Sequence, residues 1–316
     1  MQVDASRRVA SPEVDAKGLW SAAFRIIDVT TVIAFCALPG ARAKRQYPSH
    51  PKPRLTTRNP MSKPNQAAVA EAILQARRSH QPVDAQALAD HLTTADDAYA
   101  VQALVARAMQ GPAAPFPRYW KSGGPSRDAT LTHAPLPPEG VWPSPAQAGA
   151  WHFNICLIEV EIALRIGRDV TATEAAGLTH AQAAALVDAM AVSIELVDSR
   201  WRQALDAPAL LKLADLQSHS ALVLGEWVPF APRDWDAQSC TIRIGARPVV
   251  ERRGTHSMQD PAWVLPAWLR HATRDGQTVP AGTVVTTGTW CGILPAAPGE
   301  LVQASFDGVG EASVQL

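Results

Sequence analysis

The stretch "LIEVEIALRI", residues 157–166, places two carboxylates inside an otherwise apolar run. Over the eleven residues from Cys156 onward every second position is apolar, while the positions between them include Glu159, Glu161 and Arg165. This alternation has the period of a β-strand, in which successive side chains point to opposite faces. The sequence therefore predicts a strand that carries both glutamates on the same face.

A second segment, "SIELVDSRW" (193–201), has the same alternation and also contains acids. Glu195 lies between apolar neighbours, which predicts a buried carboxylate. Asp198, at the end of this strand, is interpreted in two ways: it caps a turn or forms an ion pair, or it joins a functional site.

The acidic strand faces have two interpretations. In the first, Glu159 and Glu161 lie on a solvated face, with Arg165 as a nearby counter-charge. In the second, Glu159, Glu161 and Glu195 converge on one divalent cation, which relieves a like-charge repulsion that otherwise opposes folding. A site of three carboxylates without histidine or cysteine selects a hard cation, Mg²⁺ or Mn²⁺.

Composition restricts the class of protein. The chain has 316 residues, of which 47% are hydrophobic, so it can bury a substantial core. Its formal net charge of zero gives no uniformly basic surface, and we expect no nucleic-acid partner. The longest apolar segment near the N-terminus is too short to span a bilayer, so we expect no membrane partner. The four cysteines are far apart and form no C-x-x-C pair, which favours a reducing, cytoplasmic location.

Residues 1–60 differ from the rest of the sequence. They contain ten basic and four acidic residues, a short apolar run at 29–38 and a Pro-rich polar segment. This pattern only partly resembles a secretory signal. We therefore predict that residues 1–60 are a disordered or targeting extension.

Helical spacing of apolar residues characterises 65–110, with Asn65 and Thr94 as expected N-caps and Gly111 as the end of the last helix. Residues 112–150 are rich in Pro and Gly and are interpreted as loop. We predict a small helical region with a linker over 61–135.

After residue 151 strands dominate. One helix is expected at 179–190, with Thr179 as its cap. Two hairpins are expected, one around Gly245 and one at the Asp307–Gly308 dipeptide, which suits a type I′ turn. Strands are not interleaved with helices, so the predicted fold is α+β with a mostly antiparallel or mixed sheet or roll over 136–316.

Further polar candidates lie in loops. Lys121 precedes Ser-Gly-Gly, where glycines allow a substrate to approach the backbone. "VVTTGTWCG" (284–292) ends a strand with Gly288 and Thr289, which can present a hydroxyl and backbone N–H groups to a carboxylate. His133 and His152 are both possible acid/base groups, and the sequence does not choose between them. Cys156 and Cys291 are interpreted as packing residues.

Four stretches in this order resemble the fumarylacetoacetate hydrolase superfamily, in its 2-keto-4-pentenoate hydratase-like branch. They are "DDAYAVQ" (96–102), "WKSGG" (120–124), "IEVEIALRIGRDV" (158–170) with "SIELVDSRW", and "VVTTGTWCGILPAAPGE" (284–300). The likeness covers 61–316. It implies a metal-binding β-roll catalytic domain preceded by a small helical region, commonly assembled as a dimer or larger homo-oligomer.

The resemblance also implies residue roles. Glu159, Glu161 and Glu195 match Mg²⁺ or Mn²⁺ ligands, Lys121 matches a lysine that contacts substrate and moves protons, and Thr289, with Gly288 beside it, matches a threonine near the substrate carboxylate. The expected function is a divalent-metal-dependent lyase acting on a small 2-oxo acid or its enol, of the hydratase type. The alternatives are a C–C hydrolase or decarboxylase, and a non-catalytic ligand-binding relative.

Two departures from that branch affect the substrate. The segment after the lysine is shorter, which leaves Asp128 or His133 as replacements for an active-site aspartate. The sequence reads "ADLQS" at 214–218, where such hydratases tend to have "ADNAS".

Overall fold

The computed structural model describes residues 63–111 and 115–316, so the predicted extension at 1–60 lies outside the described residues. The helices are α1 (Pro64–Ser79), α2 (Ala95–Gln110), α3 (Ala172–Ala175), α4 (His180–Ala184), α5 (Ala209–Ala214) and α6 (Leu265–Ala272). The strands are β1 (Tyr119–Gly123), β2 (Thr132–Leu136), β3 (Val141–Pro143), β4 (Ala146–Gln147), β5 (Leu157–Ile166), β6 (Val187–Val197), β7 (His219–Leu224), β8 (Val228–Pro229), β9 (Ser239–Ile244), β10 (Val250–Arg253), β11 (Val284–Thr286), β12 (Leu294–Pro295), β13 (Leu301–Phe306) and β14 (Gly310–Gln315). Across these residues, every helix is too short or too polar to cross a bilayer.

The N-terminal helices form a small cluster. α1, α2 and α5 pack against one another around buried apolar side chains that include Ile73 and Trp201. Thr94 caps α2 by accepting a hydrogen bond from the backbone N–H of Asp97 at 3.1 Å, and Gly111 ends it, as predicted. The start of α1 differs from the prediction, because the N-cap is Lys63, two residues before Asn65. Pro64 at the first helical position fixes the entry into the helix.

The strands form two sheets. A nine-stranded sheet runs β2-β1-β11-β5-β6-β7-β3, with β12 also paired to β5 and β8 to β6; a five-stranded sheet runs β10-β9-β13-β14-β4. Most neighbours are antiparallel, and the pairs β1–β11, β3–β7 and β4–β14 are parallel. The predicted α+β class with a mostly antiparallel, mixed and curled sheet is therefore confirmed.

The centre of the fold is the antiparallel pair of β5 and β6, against which β13 and β14 of the smaller sheet pack. The apolar positions that alternate along β5 are all fully buried, from Ile158 to Ile166. Each such side chain contributes about 1.5–3 kcal/mol when it is removed from water. β5, the strand predicted from alternation, is thus the central strand of the core. The residues between these positions lie on its other face.

The loop interpretation of residues 112–150 was wrong for the part that forms β1 to β4. Trp120 and Ser122 of β1 are buried, and the strand pairs with β11 from the far end of the chain. This partner supplies the ladder hydrogen bonds that a Pro- and Gly-rich segment does not suggest on its own. The predicted boundary between residues 135 and 136 falls within β2, and the division into domains stays a prediction.

Two local predictions after residue 151 also need correction. Thr179 caps α4 as expected, but the helix ends at Ala184 and residues from Val187 onward belong to β6, because pairing with β5 outweighs their helical spacing. The hairpin around Gly245 is present between β9 and β10. In the β13–β14 hairpin only Gly308 of the expected type I′ pair has a positive φ, so the turn is of another type.

Candidate metal centre

The register of β5 and β6 brings the acidic side chains together. Glu159 lies directly opposite Glu195, and Glu161 lies opposite Ser193. Residues opposite each other in an antiparallel pair point to the same face with Cβ atoms about 5 Å apart. The carboxylates of Glu159, Glu161 and Glu195 therefore share one face, where like charges repel unless something compensates them.

The three carboxylates can share one ion. One oxygen from each lies within 4.8 Å of the others. Glu161 and Glu195 are almost completely buried, and Oε2 of Glu195 has no hydrogen-bond partner. An unpartnered buried carboxylate oxygen is costly unless a cation or a donor binds it. This donor set, three carboxylates with no thiolate, fits Mg²⁺ or Mn²⁺.

Lys121 lies against the same carboxylates. Its Nζ is 2.5 Å from Oε1 of Glu195 and donates to the backbone carbonyl of Gln217 at 3.3 Å. β1 and β6 are separated by β11 and β5, which in a flat sheet would place them about 14 Å apart. The contact therefore depends on the curl of the large sheet.

The acids and the lysine perturb one another. Burial raises the pKa of both Glu159 and Glu161 above the ordinary value, and the neighbouring carboxylates add to this effect. Burial acts on Glu195 in the same direction, but Lys121 and a hydrogen bond from His219 outweigh it and lower the pKa of Glu195. Burial alone would lower the pKa of Lys121, yet the attraction of the three carboxylates raises it, so the ammonium stays protonated.

Glu161 is oriented by a chain of hydroxyl groups. Thr286 of β11 donates to Oε2 of Glu161, and Ser193 Oγ lies 2.9 Å from the Thr286 hydroxyl, to which it can donate in turn. On the other side of the cluster, His219 of β7 contacts Oε1 of Glu195 through Nδ1 at 3.1 Å. These contacts fix the carboxylates while leaving at least one oxygen of the cluster free.

A cavity of about 340 Å³ opens in front of the carboxylates. The residues that line it are polar or glycine with one exception, a proline: Lys121, Ser122, Gly123, Gly124, Pro125, Thr132, Glu159, Glu161, Gln217, Ser257, Thr286, Gly288 and Thr289. The cavity is of a size for a small molecule, and its ionic groups are Lys121, Glu159 and Glu161.

Gly288 and Thr289 also line this cavity. Gly288 has a φ of 107°, which favours glycine and lets the chain turn away from β11 beside the cavity. The Thr289 hydroxyl donates to the carbonyl of Gly292 at 2.9 Å and accepts from the N–H of Cys291 at 3.2 Å. Its hydrogen is thus already used within the turn.

The family model for the fumarylacetoacetate (FAA) hydrolase C-terminal region matches residues 136–316, more than half of the chain. The chain belongs to this family. All three carboxylates lie within the matched part, whereas Lys121 precedes it.

Two curated relatives are similar to the chain at 27% identity over 166 residues. They are 2-keto-4-pentenoate hydratase from Paraburkholderia xenovorans (strain LB400) and 2-keto-4-pentenoate hydratase 3 from Pseudomonas putida. In each case the match spans 50% of this chain and 58% of the relative's length. These members of the fumarylacetoacetate hydrolase family are enzymes.

Among solved structures, 4-oxalocrotonate decarboxylase from Pseudomonas putida G7 has the same fold. Its complex with magnesium and adipate aligns with a TM-score of 0.69 at 20% identity, covering 79% of this chain and 96% of that chain. Its complex with calcium and acetate aligns with a TM-score of 0.67 over the same shares.

In the present chain, His133 lies away from the cavity. It is buried on the opposite face of β2 from the cavity-lining Thr132, with Nδ1 2.9 Å from Ser122 Oγ. Burial, together with the positive charges of Arg274 and Arg270, lowers its pKa to about 3, so the ring is neutral. The structure therefore does not bring His133 to the carboxylates.

The other sequence candidates also lie elsewhere. Asp198 accepts hydrogen bonds from the backbone N–H groups of Asn154 and Ile155, which agrees with its interpretation as a turn cap. His152 lines a separate depression, and Asp128 is exposed in the loop between β1 and β2. Arg165 pairs with Asp188, so it is not a counter-charge for the glutamates.

Cys156 and Cys291 lie outside the cavity lining. Burial raises the pKa of the Cys156 thiol to about 11 and also raises that of Cys291, so both stay protonated thiols. Their interpretation as packing residues agrees with this.

Sequence reasoning missed His219, Thr286 and Gln217. His219 begins the buried strand "HSALVL", where a polar residue in an apolar run was a usable signal. Thr286 reads as an ordinary β-branched strand residue, and nothing in the sequence indicated its contact with Glu161. Gln217 falls within the "ADLQS" segment, whose difference from the hydratases was the only signal.

Proposed function

We propose that this chain is a divalent-metal-dependent lyase that acts on a small 2-oxo acid or its enol, with hydratase-type chemistry. The observation that carries this proposal is that three carboxylates and one protonated lysine lie together beside a small polar cavity, which Lys121, Glu159 and Glu161 line. Neither the lysine nor the acids alone would suggest it, because isolated buried ion pairs are common structural features.

Glu159, Glu161 and Glu195 would hold the cation. A bound Mg²⁺ or Mn²⁺ would supply Lewis-acid polarisation of the oxo group next to the substrate carboxylate, which favours enolisation. The hydroxyl of Thr286 and the ring of His219 keep two of these side chains in place. The free oxygen of Glu195 is the position that most needs a positive partner.

Lys121 would move the proton. An ammonium group has three N–H donors, and in Lys121 two of them are used by Glu195 and by the carbonyl of Gln217. The third can be presented to a substrate in the cavity. As a protonated group at that position, Lys121 would act as the general acid that delivers a proton to carbon of the enol, and it would accept the proton in the reverse direction.

The turn at Gly288 and Thr289 would lie next to the substrate carboxylate. Glycine at position 288 presents backbone without a side chain to the cavity, and a Cβ there would lie 3.6 Å from His256 Nε2. Because the Thr289 hydroxyl donates to Gly292, its oxygen can only accept, and backbone N–H groups of this turn are the better candidates for contact with a carboxylate.

The relatives support the choice of reaction. The two curated relatives are 2-keto-4-pentenoate hydratases, which favours hydration, although the chain spans only 58% of their length. Decarboxylation is the second candidate, because 4-oxalocrotonate decarboxylase shares the fold over 79% of this chain. The homo-oligomer and the cytoplasmic location expected from the sequence stay predictions.

The decisive experiment compares Lys121→Met with the wild-type protein on a panel of 2-oxo acids. The variant should bind Mg²⁺ or Mn²⁺ as the wild type does but lose turnover by about 10²–10⁴-fold, because general acid catalysis contributes that much. Lys63→Met is the matched control, since Lys63 is exposed and lies outside the cavity.

Two results would contradict the proposal. Turnover that survives in Lys121→Met would remove the lysine from the mechanism. Equal wild-type turnover with chelator and with Mg²⁺ would remove the metal, and binding of 2-oxo acids without any turnover would favour a non-catalytic relative.

A further inference from the structure

A second cavity lies on the opposite face of β1 from the candidate metal centre. Trp120 and Lys121 are neighbours on this strand, so their side chains point to opposite faces. Lys121 lines the cavity in front of the carboxylates, whereas Trp120 lines a separate cavity of about 250 Å³ between α2, β1 and the end of α6. Drug-sized ligands occupy sites of roughly 300–1,000 Å³, so this cavity has room for a single ring with one substituent.

Aromatic rings form much of the lining of this second cavity. The ring centroids of Phe116 and Trp120 lie 5.8 Å apart, and those of Trp120 and His271 lie 6.1 Å apart at an angle of 82°. His271 in turn lies 4.3 Å from Tyr99, and three proline rings complete the apolar part. Aromatic pairs prefer tilted and edge-to-face contacts at such distances. A further flat ring that enters the cavity can therefore continue the same series of contacts.

Gln102 fixes the position of α2 over the cavity. Its side-chain amide is almost completely buried and donates to the backbone carbonyls of His133 at 3.1 Å and of Leu213 at 2.7 Å. These bonds hold the helix against β2 and α5. The face of α2 that carries Tyr99 and Ala103 is therefore held in place beside β1, which lowers the cost of ordering the site when a ligand binds.

Two polar groups in the lining fit an anion. Arg274 lies with its guanidinium carbon 5.7 Å from the centroid of the Tyr99 ring. Asp275, the one acid among the described residues of the lining, has a side chain that is 78% exposed and 4.0 Å from Arg274, so it compensates little of this charge. Burial, together with His133 and Arg274, lowers the pKa of His271, so this ring is neutral and has one N–H to donate.

The charges around the cavity favour an anion over a cation. The buried ring of His133 packs against that of His271, with centroids 4.7 Å apart. The positive charges of Arg274 and Arg270 contribute to the low pKa of His133, in addition to burial. A ligand cation would meet the same repulsion, whereas a carboxylate would be attracted.

We propose that this cavity is a second small-molecule site and that it binds an aromatic monocarboxylic acid. The ring packs against Trp120, Tyr99 and Phe116, and the carboxylate pairs with Arg274 and accepts a hydrogen bond from His271. The site does not depend on the metal or on the proposed function, because none of the residues that line it also lines the cavity in front of the glutamates.

Benzoate is the probe, and isothermal titration calorimetry measures its dissociation constant from the full chain in the presence of chelator. Without a divalent cation the glutamates repel a carboxylate, so benzoate does not bind in front of them. We expect a dissociation constant of about 0.1–1 mM for so small a ligand. Cyclohexanecarboxylate, which keeps the charge and lacks the aromatic ring, should bind about 5-fold more weakly. Benzyl alcohol, which keeps the ring and lacks the charge, should also bind about 5-fold more weakly.

Two variants locate the probe. Ala103→Leu fills the cavity from an exposed position of α2 and should weaken benzoate binding by about 10-fold or more. Ala108→Leu, exposed on the same helix and outside the lining, is the matched control and should bind as the wild type does. Arg274→Met should bind benzoate and benzyl alcohol equally, while Arg253→Met, exposed on β10, should keep the preference for benzoate.

Several results would overturn the proposal. Failure of benzoate to bind would show that the cavity is closed in solution, and equal affinities in Ala103→Leu and Ala108→Leu would place the probe elsewhere. Tighter binding of benzylamine than of benzoate would contradict the assignment of an anion, and equal binding of cyclohexanecarboxylate would contradict that of an aromatic ring. Benzoate binding that strengthens when Mg²⁺ replaces the chelator would place the probe at the glutamates.

Discussion

Two groups of buried acids, one on β5 and β6 and one in the segments after β6, are compensated differently. Asp215 is fully buried and accepts hydrogen bonds from Arg200 and Arg77, and Asp198 lies 3.7 Å from Arg200. Two acids there face two arginines. In the cluster of Glu159, Glu161 and Glu195, by contrast, three acids face one lysine, and one carboxylate oxygen has no partner.

This difference shows that burial alone does not identify a site. Both groups are removed from water, yet the arginine group is neutral and its acceptors are paired, so it needs nothing further. When its three acids are ionised, the glutamate group has two negative charges in excess, because burial lowers the pKa of His219 and leaves that ring neutral. Burial together with this excess raises the pKa of Glu159 and of Glu161. A divalent cation carries the two positive charges that neutralise this excess.

The largest effect is expected from a substitution in the arginine group, which is formed by Asp198, Asp215, Arg77 and Arg200. Arg200→Met would leave Asp215 without its main partner in the interior, and removing one member of a buried ion pair costs about 3–5 kcal/mol of the free energy of unfolding. Urea unfolding measures this loss. The destabilisation should be the same with and without Mg²⁺, and a loss that Mg²⁺ restores would show that the two groups are not independent.

The second-largest effect is expected on the stability of the protein when the cation binds. Mg²⁺ or Mn²⁺ at 100 times its dissociation constant should stabilise the wild type by about 2.7 kcal/mol, because the ion binds only the folded protein. Thermal unfolding with and without the ion measures it. Glu195→Gln should abolish the shift, while Asp188→Asn, on the exposed pair with Arg165, should leave it intact. A shift of equal size in Glu195→Gln would place the ion elsewhere.

The smallest effect concerns the metal-free protein. Burial and the neighbouring carboxylates raise the pKa of Glu159 to about 8, so folding at neutral pH must either bury its charge or protonate it, and both cost free energy. Glutamine at this position is neutral in the folded and the unfolded protein, and the described structure gives the carboxylate no hydrogen bond to lose, so we expect Glu159→Gln to gain about 1 kcal/mol of stability in the presence of chelator. With saturating Mg²⁺ the order should reverse, with the wild type melting higher. If the variant is less stable under both conditions, the three charges do not repel as the geometry implies.

Part of this molecule could be predicted from sequence because the signals were local. The alternation around Glu159 and Glu161 predicted a strand, and the caps at Thr94 and Thr179 follow from short hydroxyl side chains that accept nearby N–H groups. The buried position of Glu195 also followed from its apolar neighbours. Each of these features depends on residues within a few positions of one another.

The rest depends on contacts between distant segments. β1 was taken for a loop because its segment is rich in Pro and Gly and one of its two partners, β11, lies far along the chain. The reach of Lys121 to Glu195 depends on sheet curl that no local pattern encodes. The side of β2 on which His133 lies was likewise set by pairing. For this reason the sequence indicated which types of residue form the candidate site more reliably than it indicated the contacts that those residues make.

The separate origin of Lys121 has a consequence for how such proteins can change. The acids come from one strand pair inside the family-matched segment, whereas the lysine enters on a strand that precedes it. Recombination upstream of residue 136 can therefore exchange Lys121 while all three glutamates are kept. A lineage that lost the lysine in this way would keep the three carboxylates that hold the cation in the proposed function, and it could be recruited to bind ions without turnover.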